Sequence, residues 1–145
     1  MTRYAKGANA ERELMKVLFA DGFAVVRAGG SGVNVLPSPD LLALKQSNIF
    51  IFECKAWKGG YLYLEEYKIQ QLEEFAKRSG GKIIIAWKVP HHGWLFIGHE
   101  KLKKTKKNFF TISLKEAEKN CITLEVLAGI QKTLQNGFSS ESLKT

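Results

Sequence analysis

Two apolar runs of strand length, Pro39-Asp40-Leu41-Leu42-Ala43-Leu44 and Ile49-Phe50-Ile51-Phe52-Glu53-Cys54-Lys55, flank the polar corner Lys45-Gln46-Ser47-Asn48. Turn chemistry between two runs rich in Leu, Ile and Phe specifies a β-hairpin. Setting Leu44 opposite Ile49 carries the register back until Asp40 faces Glu53. Side chains alternate along a strand, so Glu53 and Lys55 share one face and Phe50, Phe52 and Cys54 take the other. The hairpin thus gathers an Asp, a Glu and a Lys at one end of a strongly hydrophobic element.

Two carboxylates at the end of a buried strand repel one another and are costly to desolvate. A divalent cation resolves the conflict, because Mg²⁺ takes oxygen ligands, commonly one or two carboxylates with water and substrate phosphate. A lysine two residues beyond Glu53 then holds a phosphate or an attacking water. A satisfied charge cluster at the sheet edge resolves the conflict equally well, and the residue types alone leave both readings open.

The rest of the chain bears on that choice. At 145 residues it fits one domain, residues 1–135, with 136–145 read as a disordered tail. Twenty-two basic residues against fourteen acidic give a net charge of +8, which calls for a polyanionic partner. No amphipathic basic helix suited to a lipid surface is evident, so nucleic acid is expected and a membrane is not. No signal peptide or membrane-spanning run is read, and Cys54 and Cys121 lie far apart without metal-ligand spacing. A cytoplasmic protein with reduced thiols is the expectation.

Along the chain, Thr2 to Gly7 reads as a short basic arm with Lys6 available to DNA. Asn9 reads as the cap of a helix over Ala10 to Ala20 that stops at Gly22. Glu11 falls on the stripe of Leu14 and Leu18. There it either favours the positive helix N-terminus or points toward Asp40 and Glu53. Phe23 to Ala28 is a strand, and the Gly29-Gly30-Ser31-Gly32 loop brings backbone N–H groups, Gly30 among them, within reach of a phosphate. Beyond Lys55, the corner Ala56-Trp57-Lys58-Gly59-Gly60 offers Lys58 to a DNA backbone.

A second helix is expected to open at Leu64, with Ile69, Leu72, Phe75 and Ala76 as its apolar stripe, and its length suits a parallel crossover to the strand Ile83 to Trp87. After the Pro90-His91-His92-Gly93 turn comes the strand Trp94 to Ile97; the adjacent histidines lack partners for a metal site. Lys101 to Lys107 is a solvated face or a phosphate-contacting strip. Ser113 and Glu116 read as a capping box, and Thr123 to Leu134 as a last helix. The pattern α-β-β-β-α-β-β predicts an α/β fold with a central mixed five-stranded sheet flanked by helices.

Lys6-Gly7 with Glu11-Arg12-Glu13, Gly22 to Arg27, the Gly/Ser loop, Pro39-Asp40 and Glu53-Cys54-Lys55 together resemble the archaeal Holliday junction resolvases of the PD-(D/E)XK nuclease superfamily. The segments Glu65 to Gly81 and Leu124 to Leu134 extend the similarity over nearly the whole chain. The resemblance implies a restriction-endonuclease-like fold and a homodimeric, Mg²⁺-dependent endonuclease, with Mn²⁺ a possible substitute, that introduces paired nicks in four-way DNA junctions. It implies an acidic, metal-holding site of Glu11, Asp40 and Glu53, with the Cys54 carbonyl as a further ligand. Lys55 would be the catalytic lysine and Ser31 the catalytic serine of a mobile loop, while Arg12 and Arg27 fall on backbone-holding positions.

Two features depart from the family pattern. Gly32 to Ser38 carries no Lys or Arg where relatives often place basic residues, and Lys68 stands where relatives commonly have Gln. The competing readings are another PD-(D/E)XK nuclease acting on duplex or flap DNA, and a non-catalytic basic DNA-binding protein. A dimer is expected to use Leu72 and Phe75 as surplus apolar side chains of the second helix.

Overall fold

A computed structural model describes residues 2–28 and 36–130 of the chain. Its centre is a mixed five-stranded sheet built from β1 (Ala24–Arg27), β2 (Leu41–Lys45), β3 (Asn48–Ala56), β5 (Lys82–Val89) and β6 (Gly93–Gly98) in the order β1-β2-β3-β5-β6. The hairpin register is the expected one, with Leu44 opposite Ile49. Its two corner residues, Gln46 and Ser47, both take positive φ, 49° and 70°, as a tight two-residue turn requires. β3 and β5 pair in parallel through the crossover helix α2 (Glu66–Ser79).

β5 is buried almost throughout because apolar layers cover both faces of the sheet. On one face Ile51, Ile83, Ile85 and Trp87 pack against Ile69 and Leu72 of α2. On the other, Leu41, Phe52, Ile84 and Phe96 pack against Leu14 and Leu18 of the first helix, α1 (Arg3–Ala20). The alternation read from the sequence therefore holds: Ile51 belongs to one layer, Phe50, Phe52 and Cys54 to the other. Gly81, between α2 and β5, has to be glycine, since a Cβ there would lie 2.8 Å from Ile49.

Several boundaries differ from expectation, each for an identifiable reason. α1 begins at Arg3, not near Ala10, because the Thr2 hydroxyl accepts from Ala5 N–H at 3.1 Å and caps the helix there. Lys6 is thus helical, and Glu11 lies in the third turn, away from the N-terminal dipole. The segment Tyr61–Glu65 is a strand, β4, with Leu62 and Leu64 buried and Tyr61, Tyr63 and Glu65 exposed, so α2 opens at Glu66. β4 pairs with β8 (Phe109–Ser113), which pairs with the short β7 (Lys103–Lys104), giving a second, three-stranded sheet.

Ser113 caps α3 (Leu114–Asn120), accepting from Glu116 N–H at 3.1 Å as its spacing predicted. The last helical stretch, Val126–Ile130, is broken at Gly129, whose φ is 137°. The expected tail and Leu134 lie outside the described residues. Leu72, expected at a dimer interface, is only 1% exposed and belongs to the core, with Phe75 packed against it. Among the described residues no helix is long and apolar enough to cross a membrane.

Candidate active site

Asp40 sits where three backbone strands meet. Its carbonyl accepts from Ala28 N–H at 3.0 Å, extending the β1–β2 ladder by one rung, and its N–H donates to the Phe52 carbonyl at 3.1 Å, one residue out of the β2–β3 register. Its carboxylate Oδ2 accepts from the Cys54 N–H at 2.8 Å, so the side chain is held as firmly as the backbone. The paired register ends at Leu41 opposite Phe52, and just beyond it the Asp40 carboxylate lies close enough to Glu53 for its charge to act on that side chain. Sequence periodicity alone had placed the two acids together, and the structure does the same.

Glu53 is the one buried charged residue of the described core, 4% exposed. Burial, and next the charge of Asp40, push its carboxyl up to about 8; the ammonium of Lys68 acts in the opposite direction. Lys68 Nζ lies 3.3 Å from Glu53 Oε2, close enough to compensate charge. That oxygen nevertheless receives no hydrogen bond, because the ammonium is aimed at the Ser38 carbonyl, also at 3.3 Å. Lys55, two residues along β3, follows Glu53 on the same face and makes no ion pair among the described residues. The Cys54 thiol is pushed well above its ordinary range, first by burial and then by Asp40 and Glu53, and stays neutral.

The remaining expected residues are distributed around this pair. Glu11 is held by Arg27, whose Nε donates to Oε2 at 2.7 Å; its charge still acts on Cys54 alongside those of Asp40 and Glu53, but the three acids do not form a metal-holding group among the described residues. Arg27 is correspondingly engaged. Arg12, Lys6 and Lys58 are exposed. Lys6 lines a cleft of about 320 Å³ with Asn9, Ala10, Glu13, Ala56, Lys88 and Pro90, beside the end of β3 that carries Lys55. Gly30 and Ser31 lie outside the described residues. Lys68 was noted in the sequence only as a departure; its contact with Glu53 depends on how α2 crosses β3, which no spacing rule conveys.

The comparisons with known proteins agree with one another. The family described as archaeal Holliday junction resolvase (Hjc) matches residues 2–136. The chain belongs to the archaeal Holliday junction resolvase family. The crossover junction endodeoxyribonuclease Hjc of Sulfurisphaera tokodaii is 36% identical over 138 residues, covering 94% of this chain and 95% of that one. That of Archaeoglobus fulgidus is 37% identical over 105 residues, 72% of this chain and 77% of the relative. The solved structure of Archaeoglobus fulgidus Hjc, a Holliday junction resolvase, superposes with a TM-score of 0.79 at 31% identity, covering 85% of this chain and all of that one. The mixed sheet with its flanking helices is therefore the resolvase fold.

A nuclease of this family implies a divalent metal, and the donor set can be tested for one. Among the described residues no three His, Cys, Asp or Glu side chains are grouped to hold an ion. Two are: the Asp40 carboxylate acts directly on Glu53, and Glu53 Oε2 is buried with no hydrogen bond. An unsatisfied carboxylate oxygen beside a second carboxylate is the donor pair a hard cation takes, with water and phosphate completing its shell. The residues fit.

Proposed function

We propose that this Holliday junction endonuclease resolves four-way junctions by paired, Mg²⁺-dependent phosphodiester hydrolysis, with Mn²⁺ able to substitute, acting as a homodimer in the cytoplasm. The observation that carries the reading is Asp40 acting on the buried Glu53 at the end of the hairpin, with Lys55 two residues further along β3. Asp40 and Glu53, with the Cys54 carbonyl, would hold the metal. A metal held there would supply Lewis-acid chemistry, polarisation of a scissile phosphate and a lowered pKa for an attacking water.

The chain's own groups would do the rest. Asp40, fixed through Cys54 N–H and both strand ladders, sets where the phosphate comes to lie. The Lys55 ammonium orients the water or stabilises the charge developing on the phosphate oxygens. Arg27, Arg12, Lys6 and Lys58 would bind backbone phosphates, with Gly30 and Ser31 contributing from their loop. A phosphate that draws Arg27 away releases Glu11 to reach the site through water. Such contacts recognise backbone geometry and charge, so binding should weaken steeply with salt.

Two-fold symmetric junctions suit two identical sites. The surface this chain offers for pairing is the aromatic row on the small sheet. Tyr61 and Tyr63 are about half exposed, and Tyr63 lies 6.3 Å from both Tyr61 and Phe109, ring centre to ring centre. Exposed aromatic clusters are typical of interface cores. Sedimentation at micromolar concentration should give a dimer that Tyr63→Glu dissociates; a monomeric wild type removes this part of the proposal.

The deciding experiment compares cleavage of an immobile junction with cleavage of its separate duplex arms, with and without Mg²⁺. Cutting confined to the junction and dependent on metal supports the proposal. Equal cutting of the arms would favour a general duplex nuclease, and an inert wild type a binding protein.

A further inference from the structure

Lys68 reaches from the first turn of α2 to touch both sides of the carboxylate pair. Its ammonium is 3.3 Å from Glu53 Oε2 and 3.3 Å from the carbonyl of Ser38, two residues before Asp40. We propose that Lys68 is a resident counter-ion that makes divalent-cation binding conditional on DNA. Resting as it does on the proposed carboxylate site, this deepens that function by assigning its regulation.

The geometry supports both halves of the device. Glu53 is 5% exposed at its side chain, so its nearest cation has an outsized effect, whereas Lys68 is 22% exposed and keeps a path to solvent. Lys68 lies near the glutamate without donating a hydrogen bond to the buried oxygen. A positive charge stands beside the pair, but the oxygen is left without a donor. The lysine stem is flexible and its ammonium is a compact charge, able to exchange a carbonyl and a carboxylate for a phosphate oxygen without moving the backbone.

In the free protein, therefore, a dication approaching Asp40 and Glu53 meets a positive charge already stationed there. A DNA phosphate brings a negative charge to the same place and gives the ammonium a better partner. The carboxylates then become available to the metal at the moment the scissile strand arrives. Lys55 acts on Glu53 in the same direction but more weakly than Lys68, and among the described residues it makes no ion pair with either acid.

The test is an electron paramagnetic resonance titration of the full-length protein with Mn²⁺, without DNA, for wild type, Lys68→Gln, Lys68→Arg and Asp40→Asn. Lys68→Gln should bind Mn²⁺ about tenfold more tightly than wild type, and Lys68→Arg, which keeps the charge, should bind like wild type. In junction cleavage the Mg²⁺ midpoints of wild type and Lys68→Gln should lie closer together than their DNA-free affinities. DNA-free binding by Lys68→Gln that equals or falls below that of wild type overturns the inference. Asp40→Asn binding Mn²⁺ as well as wild type would instead overturn the carboxylate site itself, so the two failures are told apart.

Discussion

Two flanks of the same sheet treat their acids in opposite ways. On the α1 flank each glutamate has a dedicated cation: Glu11 has Arg27, and Glu13 pairs with Lys88 while also accepting from Trp94 Nε1 at 3.3 Å. At the end of the hairpin, Glu53 is buried against a second carboxylate with a lysine that is near but misaligned. The first arrangement is complete as it stands. The second is left short of one positive partner, and under the proposed function that deficit would be met by a metal and a phosphate.

The contrast breaks if the hairpin acids prove as replaceable as the helix acids. Asp40→Asn keeps the shape and an oxygen for the Cys54 N–H but removes the charge, so junction cleavage should fall by about two to three orders of magnitude. Junction affinity, set by distributed basic residues, should stay within about threefold. Gel-shift and single-turnover cleavage measured on the same preparation check both, and cleavage at the wild-type rate would remove Asp40 from the chemistry.

Glu53 sharpens the contrast through pH. Its carboxyl sits near 8 in the folded, metal-free protein against an ordinary 4.5, raised by burial first and Asp40 second. The unfolded chain therefore releases a proton between these values that the folded chain retains, and stability falls as pH rises through that window. Glu53→Gln, neutral at every pH, should melt about 5 °C above wild type at pH 8 without metal and no higher at pH 4. Saturating Mg²⁺ should narrow the gap by stabilising wild type alone. Identical melting curves at pH 8 would mean that Glu53 is not strained.

What the sequence made legible follows from the range of each interaction. The hairpin is a period-two pattern closed by a tight turn, so its register from Leu41 to Lys45 could be read to the residue, and the nearness of Asp40 to Glu53 with it, although the backbone at Asp40 slips by one residue. The β3–α2–β5 crossover followed from length alone. Tyr61–Glu65 carries the same alternation, but Leu64 also fits the apolar stripe of the helix that follows, which hides the strand. β7 lies within a lysine-rich run that masks so short a strand. Partners such as Glu11–Arg27 and Lys68–Glu53 join different elements, and which nitrogen meets which oxygen depends on helix placement rather than on pattern.

The smallest effect is expected on the satisfied flank. The hydrogen bond from Lys88 lowers the Glu13 carboxyl, with burial opposing it, so the pair contributes stability above the ordinary glutamate range that is lost as pH falls through the depressed value. Glu13 and Lys88 are 46% and 36% exposed at their side chains, and solvent screens most of the attraction. Glu13→Gln should therefore cost well under about 1 kcal/mol at pH 7, shrinking further in high salt and vanishing in acid. Junction cleavage should be unchanged, because the pair borders the Lys6 cleft without facing Asp40 or Glu53. If Glu13→Gln instead cut catalysis as deeply as Asp40→Asn, the α1 flank would have to be counted with the hairpin end as one functional surface, and the division between completed and deficient charge would no longer mark where the chemistry lies.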